Sequence, residues 1–235
     1  MYVGMARTIP DDRFDQLVAC ATQVFIEQGY RRTQMADVAA AMGIAKGTLY
    51  LYVESKEALF DLVCRWADTE PPIPRPKTLP VPTPRPGATL KYVAARLAES
   101  GVPAAIAAAL SRSRITDAAA ELEAIVGELY DTLARHRRAL KLLDRSARDY
   151  PELAALWFEG ARGGLIALLV RYLDGRIAKG RLRPVPDTTV AARLIIETAA
   201  FWAMHRHSDP HPQIVDDAVA RETVVRFIVG ALTKE

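Results

Sequence analysis

Met35-Ala-Asp-Val-Ala-Ala-Ala-Met-Gly-Ile-Ala-Lys-Gly-Thr-Leu-Tyr-Leu-Tyr-Val, residues 35–53, reads as two short helical patterns, Met35 to Met42 and Ala45 to Tyr52, separated only by Gly43-Ile44. Val38, Met42, Ile44, Leu49 and Tyr52 fall where two steeply crossed helices need a shared core. Ala39 is small at the point of approach, and Gly43 supplies the positive φ that a three-residue turn requires. The pattern is a helix-turn-helix, carried by spacing and not by any single residue.

With Leu49 and Tyr52 buried, the second helix turns Lys46, Gly47, Thr48, Tyr50 and Leu51 outward. In a helix-turn-helix that face enters the major groove, N-terminus first. Lys46 can donate to guanine or a phosphate, Thr48 offers a hydroxyl and a methyl to base edges, and Gly47 lets the backbone come close. Tyr50 can reach a phosphate oxygen or a thymine methyl. Lys56 adds a cation to the free amides at the start of the next helix, which suits a phosphate.

Working outward, helical spacing recurs at Phe14, Leu17, Val18, Ala21, Val24 and Phe25, with Gly29 as the stop. Ser55 is the expected N-cap of a fourth helix, Lys56 to Asp68. Eight of the 17 residues in Pro71 to Gly87 are proline, so neither a helix nor a central strand fits, and a linker or an extended strap is expected, with a spacer favoured over a docking motif. Beyond it the helical pattern resumes, broken at Gly101-Val102-Pro103, near Pro151, at Gly180 to Pro186 and at Ser208 to Pro212. The fold class is therefore all-α: a helix-turn-helix domain over 1–54, a connecting helix over 55–70, a proline-rich linker over 71–87 and a helical body over 88–235.

The 235 residues are 50% hydrophobic and 25% charged, enough for a substantial core, and the net charge of +3 predicts neither a nucleic-acid nor a membrane binder as a whole. Residues 1–70 carry seven Lys and Arg against ten Asp and Glu, a net of −3, so the usual basic footprint is missing there. Arg31, Arg32, Lys46 and Lys56 nevertheless flank the groove-facing helix. Cys20 and Cys64 sit in apolar helical stretches and read as core residues of a reducing compartment. Met1 to Pro10 has no signal-peptide pattern, and no run reaches the roughly 18 apolar residues of a membrane span, so a cytoplasmic protein is expected.

Gly43-Ile-Ala-Lys-Gly-Thr-Leu-Tyr-Leu-Tyr-Val-Glu-Ser-Lys-Glu-Ala-Leu-Phe60 resembles the DNA-binding signature of the TetR/AcrR family of transcriptional regulators, and Phe25, Gly29-Tyr30, Thr33, Met35 and Val38-Ala39 fit its upstream spacing. The resemblance implies an all-α homodimer, with three helices on DNA and a body holding an effector pocket and the dimer interface. It places base contacts at Lys46, Gly47, Thr48 and Tyr50 and phosphate contacts at Thr33, Gln34, Tyr52 and Lys56. Gln34 stands where many members have a capping Ser or Thr, so that cap passes to Thr33 or weakens. Leu51 and Val53 also depart from the family's usual polar residue and Phe. Residues 145–154 are similar to members with AefR-like C-terminal domains. The last two helices, Asp187 to Arg206 and Gln213 to Leu232, stand where the family dimerises.

Tyr92, Tyr130, Trp157, Phe158, Arg162 and Trp202 are the candidate lining of an effector pocket, set against ordinary core packing, and Arg162 has Glu159 as an alternative partner. His205, His207 and His211 near Asp209 lie at a proline-broken helix end with no second cluster, so no metal is expected, and no cofactor. Glycine-rich phosphate loops, Gly-x-Ser-x-Gly and His-Glu-x-x-His are absent, and no enzyme is expected. The expectation is a DNA-binding regulator, a repressor released from a near-palindromic operator by a small molecule. The alternative is a helical ligand-binding or interaction protein that no longer binds DNA.

Overall fold

The computed structural model describes residues 11–112, 114–209, 211 and 214–234; the expectations for Met1 to Pro10, Pro212 and Gln213 lie outside them. Helix α1 (Asp11–Gln28) buries Phe14, Leu17, Val18 and Phe25, the stripe its spacing sets out, and Gly29 ends it at φ +86°. Helices α2 (Met35–Ala41) and α3 (Lys46–Leu49) follow, joined through Gly43 at φ +64°. Here α3 is shorter than the expected Ala45 to Tyr52, because residues 50–52 continue as a turn. Ser55 caps α4 (Lys56–Trp66) by accepting from the Ala58 amide at 3.1 Å, a contact worth about 1 kcal/mol.

The proline-rich segment is laid against this domain and is not a free spacer. Ile73 is buried and its amide donates to Asp15 Oδ1 at 2.9 Å. Val81 donates to the Tyr52 carbonyl at 2.7 Å and accepts from the Glu54 amide at 3.0 Å, a parallel bridge between Val53 and Val81. The Thr83 amide donates to Glu54 Oε2 at 2.8 Å and its hydroxyl lies 2.8 Å from Ser55 Oγ. Prolines deny the segment a helix, and the few residues between them that keep an amide hold it in place.

The remaining helices are α5 (Ala88–Ser100), α6 (Ala104–Ser111), α7 (Ala118–Arg135), α8 (Arg137–Ala147), α9 (Pro151–Ala154), α10 (Gly163–Ala178), α11 (Thr188–Ala203) and α12 (Asp217–Leu232), with a π-helical stretch over Ala155–Arg162. Gly163 sits where that stretch ends, and a Cβ there would lie 3.1 Å from the Phe158 carbonyl oxygen, a tight contact. Asp117, Asp187 and Asp216 cap α7, α11 and α12 through their carboxylates. Among the described residues every regular element is helical.

Packing divides the chain into two units, one running to Val93 and taking in Leu142–Pro151, the other made of Ala94–Lys141 and Glu152–Glu235. This differs from a boundary at residue 88, because the strap, the start of α5 and the end of α8 pack with the helix-turn-helix. In the first unit Phe25, Tyr30 and Phe60 form an aromatic cluster, and Tyr30 stacks on Tyr150 with ring centroids 5.1 Å apart. In the second, α7 packs on α11 and α12 and α10 on α11, around Leu122, Ile125, Val126, Leu169, Tyr172, Leu173, Ile195 and Val224. The 28-residue helical stretch Pro151–Ala178 is long and apolar enough, by length and composition, to cross a membrane. Its Leu169, Tyr172 and Leu173 belong to the core of the second unit, while only 11% of its apolar window is buried.

Candidate nucleic-acid interface

Helix α3 is only four residues long, so its exposed surface is set by what anchors it. Leu49 is fully buried, and Tyr52 and Val53 follow it into the core. Lys46 and Gly47 are exposed, Thr48 is half-buried, and Tyr50 and Leu51 are 41% and 60% exposed. The surface around Gly47 is open: a Cβ there would meet no other atom within 4 Å. Lys46, Gly47, Thr48 and Tyr50 thus form the continuous outer face expected from the sequence, with Leu51 as an apolar neighbour at its end.

The expected phosphate contacts fare differently. Thr33 is buried and its hydroxyl donates to the Gly29 carbonyl at 2.7 Å, so it neither caps α2 nor faces outward. Gln34 is the N-cap residue of α2, and its amide is satisfied by Asp37 Oδ2 at 2.8 Å. Tyr52 is only 5% exposed because its ring packs into the domain. Lys56 is turned back on its own domain: Nζ donates to the Tyr30 and Arg31 carbonyls at 3.2 and 3.3 Å and lies 4.8 Å from the Tyr30 ring centroid. It locks α4 to the turn between α1 and α2 instead of standing free as a clamp.

That turn is held from a second side. Asp149 accepts from the Arg31 amide at 3.2 and 3.3 Å, and Arg145 Nε donates to the Glu27 carbonyl at 3.2 Å. The Tyr30 hydroxyl lies 3.3 Å from Glu57 Oε1, and burial, with Glu57 beside it, pushes its pKa up to about 12. The role of Asp149 and Tyr150 was not read from the sequence. The 145–154 similarity was the signal that pointed to them, and it named no contact.

Cys20 and Cys64 are free thiols, only partly buried and so not the core residues expected, and burial raises the pKa of both. Of the six candidate pocket residues, Tyr92 belongs to the first unit, under the Arg65 guanidinium at 4.1 Å. Tyr130 and Trp202 meet in the second unit, where the Tyr130 hydroxyl donates to the Trp202 carbonyl at 3.4 Å. Trp157 and Phe158 lie on the π-helical stretch, and Arg162 pairs with Glu197 rather than with Glu159. A separate cleft of about 240 Å³ in that unit is lined by Ala105, Ala108, Arg112, Thr116, Asp117, Ala120, Glu121 and Ala124.

Residues 17–63 match the family model described as bacterial regulatory proteins, tetR family. This stretch, the helix-turn-helix part of the chain, is a TetR-family DNA-binding segment. Over part of its length the chain is similar to the fatty acid metabolism regulator protein of Bacillus subtilis strain 168, 38% identical over 45 residues, which are 19% of this chain and 23% of that one. The chain spans about a quarter of the length of the curated TetR-family relatives it matches. Its fold is similar along nearly the whole chain to the ketosteroid transcriptional regulator KstR2 of Mycobacterium tuberculosis, with a TM-score of 0.55, 18% identity, and 97% of this chain and 98% of that one covered. It is also similar to AibR, whose structure holds isovaleryl coenzyme A and operator DNA, with a TM-score of 0.51, 17% identity, and 92% and 97% covered.

Proposed function

We propose that this TetR-family protein is a DNA-binding transcriptional repressor that a small-molecule effector releases from its operator. The observation that carries the reading is the open face of Lys46, Gly47, Thr48 and Tyr50 on a helix anchored by fully buried Leu49. A face of that kind offers donors and a methyl to base edges without an unsatisfied core behind it.

The operating form in this proposal is a homodimer built on α11 and α12. Val190, Leu194 and Phe201 on α11 and Val219 and Phe227 on α12 are 44–72% exposed, large apolar side chains on two neighbouring helices. Such a patch on a soluble body supports an interface. Two copies of α3 would then enter successive major grooves about 34–36 Å apart, which calls for a near-palindromic operator.

For the effector we propose an acyl-coenzyme A thioester, the class held by the fold neighbour AibR. Tyr130, Trp157, Phe158, Arg162 and Trp202 are the proposed lining in this chain. Effector binding would act on α4 of the first unit through α8, whose residues are shared between the two units, with a coupling of about 1–3 kcal/mol, or 5- to 150-fold in DNA affinity.

The test is selection of random duplex DNA by the purified protein at two salt concentrations, followed by challenge of the enriched duplex with a panel of acyl-coenzyme A thioesters. Enrichment of a two-fold symmetric motif, released by one of the thioesters, is the expected result. A folded dimer that enriches no motif would overturn the DNA reading; a motif that no thioester releases would overturn the effector class alone.

A further inference from the structure

The helix-turn-helix part of the chain is short of positive charge, with a net of −3 over residues 1–70. The segment that follows is the reverse. From Pro71 to Ala98 the sequence has Arg75, Lys77, Arg85, Lys91 and Arg96 and no Asp or Glu. Its first part is the strap, and the strap is pinned at the turn directly after α3: Val81 exchanges backbone hydrogen bonds with Tyr52 and Glu54, three to five residues beyond Leu49.

We propose that this basic strap is a second DNA-contacting element, with Lys77 and Arg85 on phosphates flanking the groove that α3 enters; the inference rests on the DNA-binding reading above. Both side chains are exposed, and each lies four residues from the pinned Val81, within at most about 14 Å of extended chain. Prolines at 80, 82, 84 and 86 fix φ along this stretch, so little conformational freedom is left to lose when it meets DNA. Docking also ties down one local acidic group. The Glu54 carboxylate, which would face a phosphate as a like charge, accepts the Thr83 amide at 2.8 Å. With the strap counted, residues 1–87 move from net −3 to net 0, and Lys77 and Arg85 flank the point at which the strap is tied to the turn after α3.

The test uses the full-length protein and the duplex motif that it enriches from a random pool. Binding to that duplex is measured over a range of salt for wild type, for the double variant Lys77→Gln/Arg85→Gln, for Val81→Pro, which deprives the Tyr52 carbonyl of its donor, and for Arg96→Gln as a charge control on α5. The double variant should read the same motif with a salt slope shallower by about two, since each phosphate contact adds about 0.9. Val81→Pro should shift the slope in the same direction with both cations present, and Arg96→Gln should bind like wild type. An unchanged slope in the double variant would overturn the proposal, as would an equal loss per charge in Arg96→Gln, which would mark a diffuse field instead of contacts. A wild type that enriches no motif fails at the earlier step and takes the DNA-binding reading down with it.

Discussion

Arg176 Nε donates to Glu121 Oε2 across 2.7 Å, with the two side chains 5% and 3% exposed. Arg176 also reaches the Ala109 carbonyl at 2.5 Å, so one guanidinium ties α10 to both α6 and α7. Removing Glu121 leaves Arg176 as a buried charge without its counter-ion, typically a loss of about 3–5 kcal/mol, and removing Arg176 leaves Glu121 with only the more distant Arg112 at 3.7 Å. Glu121→Ala and Arg176→Met should each lower the urea midpoint strongly. The apolar pair Glu121→Leu/Arg176→Leu should recover most of the loss, and failure to recover would mean that the Ala109 contact dominates.

Thr48 stands at the centre of the open face of α3. Thr48→Ala should cost about 1–3 kcal/mol of discrimination at one or two positions of the selected motif, with the salt slope unchanged. Competition between the motif and its single-base variants measures this directly.

Phe227 is 72% exposed on α12 and Leu194 is 63% exposed on α11. A glutamate at either position places a charge in the proposed dimer interface while leaving the core of the body untouched. Phe227→Glu and Leu194→Glu should sediment as folded monomers and lose affinity for the two-fold symmetric duplex. A dimer of unchanged stability would remove α11 and α12 from the interface.

Gly29 carries two constraints at once. Its φ of +86° disfavours a side chain, and a Cβ would come within 2.9 Å of Asp149 Oδ2. Gly29→Ala should therefore destabilise by more than the ~1 kcal/mol that an incompatible backbone alone costs. Adding Asp149→Ser should return only the steric part of the loss in thermal melts.

His207 lies 2.8 Å from Arg137 and 3.5 Å from the Asp217 carboxylate. Burial, with Arg137 and Arg206 beside it, holds its imidazole below the usual value of 6.5, against the opposing pull of Asp217. The folded form binds the proton less readily than the unfolded chain, so the contribution is whole above about pH 6.5 and is lost as pH falls through the lowered value. His207→Gln should flatten the decline in stability between pH 7 and 5.5 relative to wild type, as read by denaturant titration.

The helix-turn-helix was legible because its information is local. Spacing of Val38, Met42, Leu49 and Tyr52 determines which residues are buried, and the exposure of Lys46 and Gly47 follows from it. The partners of Thr33 and Lys56 were not legible because they, the Gly29, Tyr30 and Arg31 carbonyls, are backbone atoms of a turn whose path no side-chain pattern records. The strap was only half legible. Proline content excludes helix, while the anchoring of Ile73 and Val81 depends on Asp15 and Tyr52, residues far back in the chain. The pocket residues were harder still, because an aromatic on a helical stripe looks the same whether it lines a cavity or, like Tyr130, packs in the core.

The first unit is discontinuous: Leu142–Pro151 completes it after a long excursion of the chain. During synthesis the reading helices leave the ribosome early, yet the residues that brace their turn, Arg145, Asp149 and Tyr150, follow more than a hundred positions later. A nascent chain that stops at Val93 would carry the strap and α3 but would lack that brace. Competence to read DNA would thus be gained late in translation, after much of the body has emerged and begun to fold.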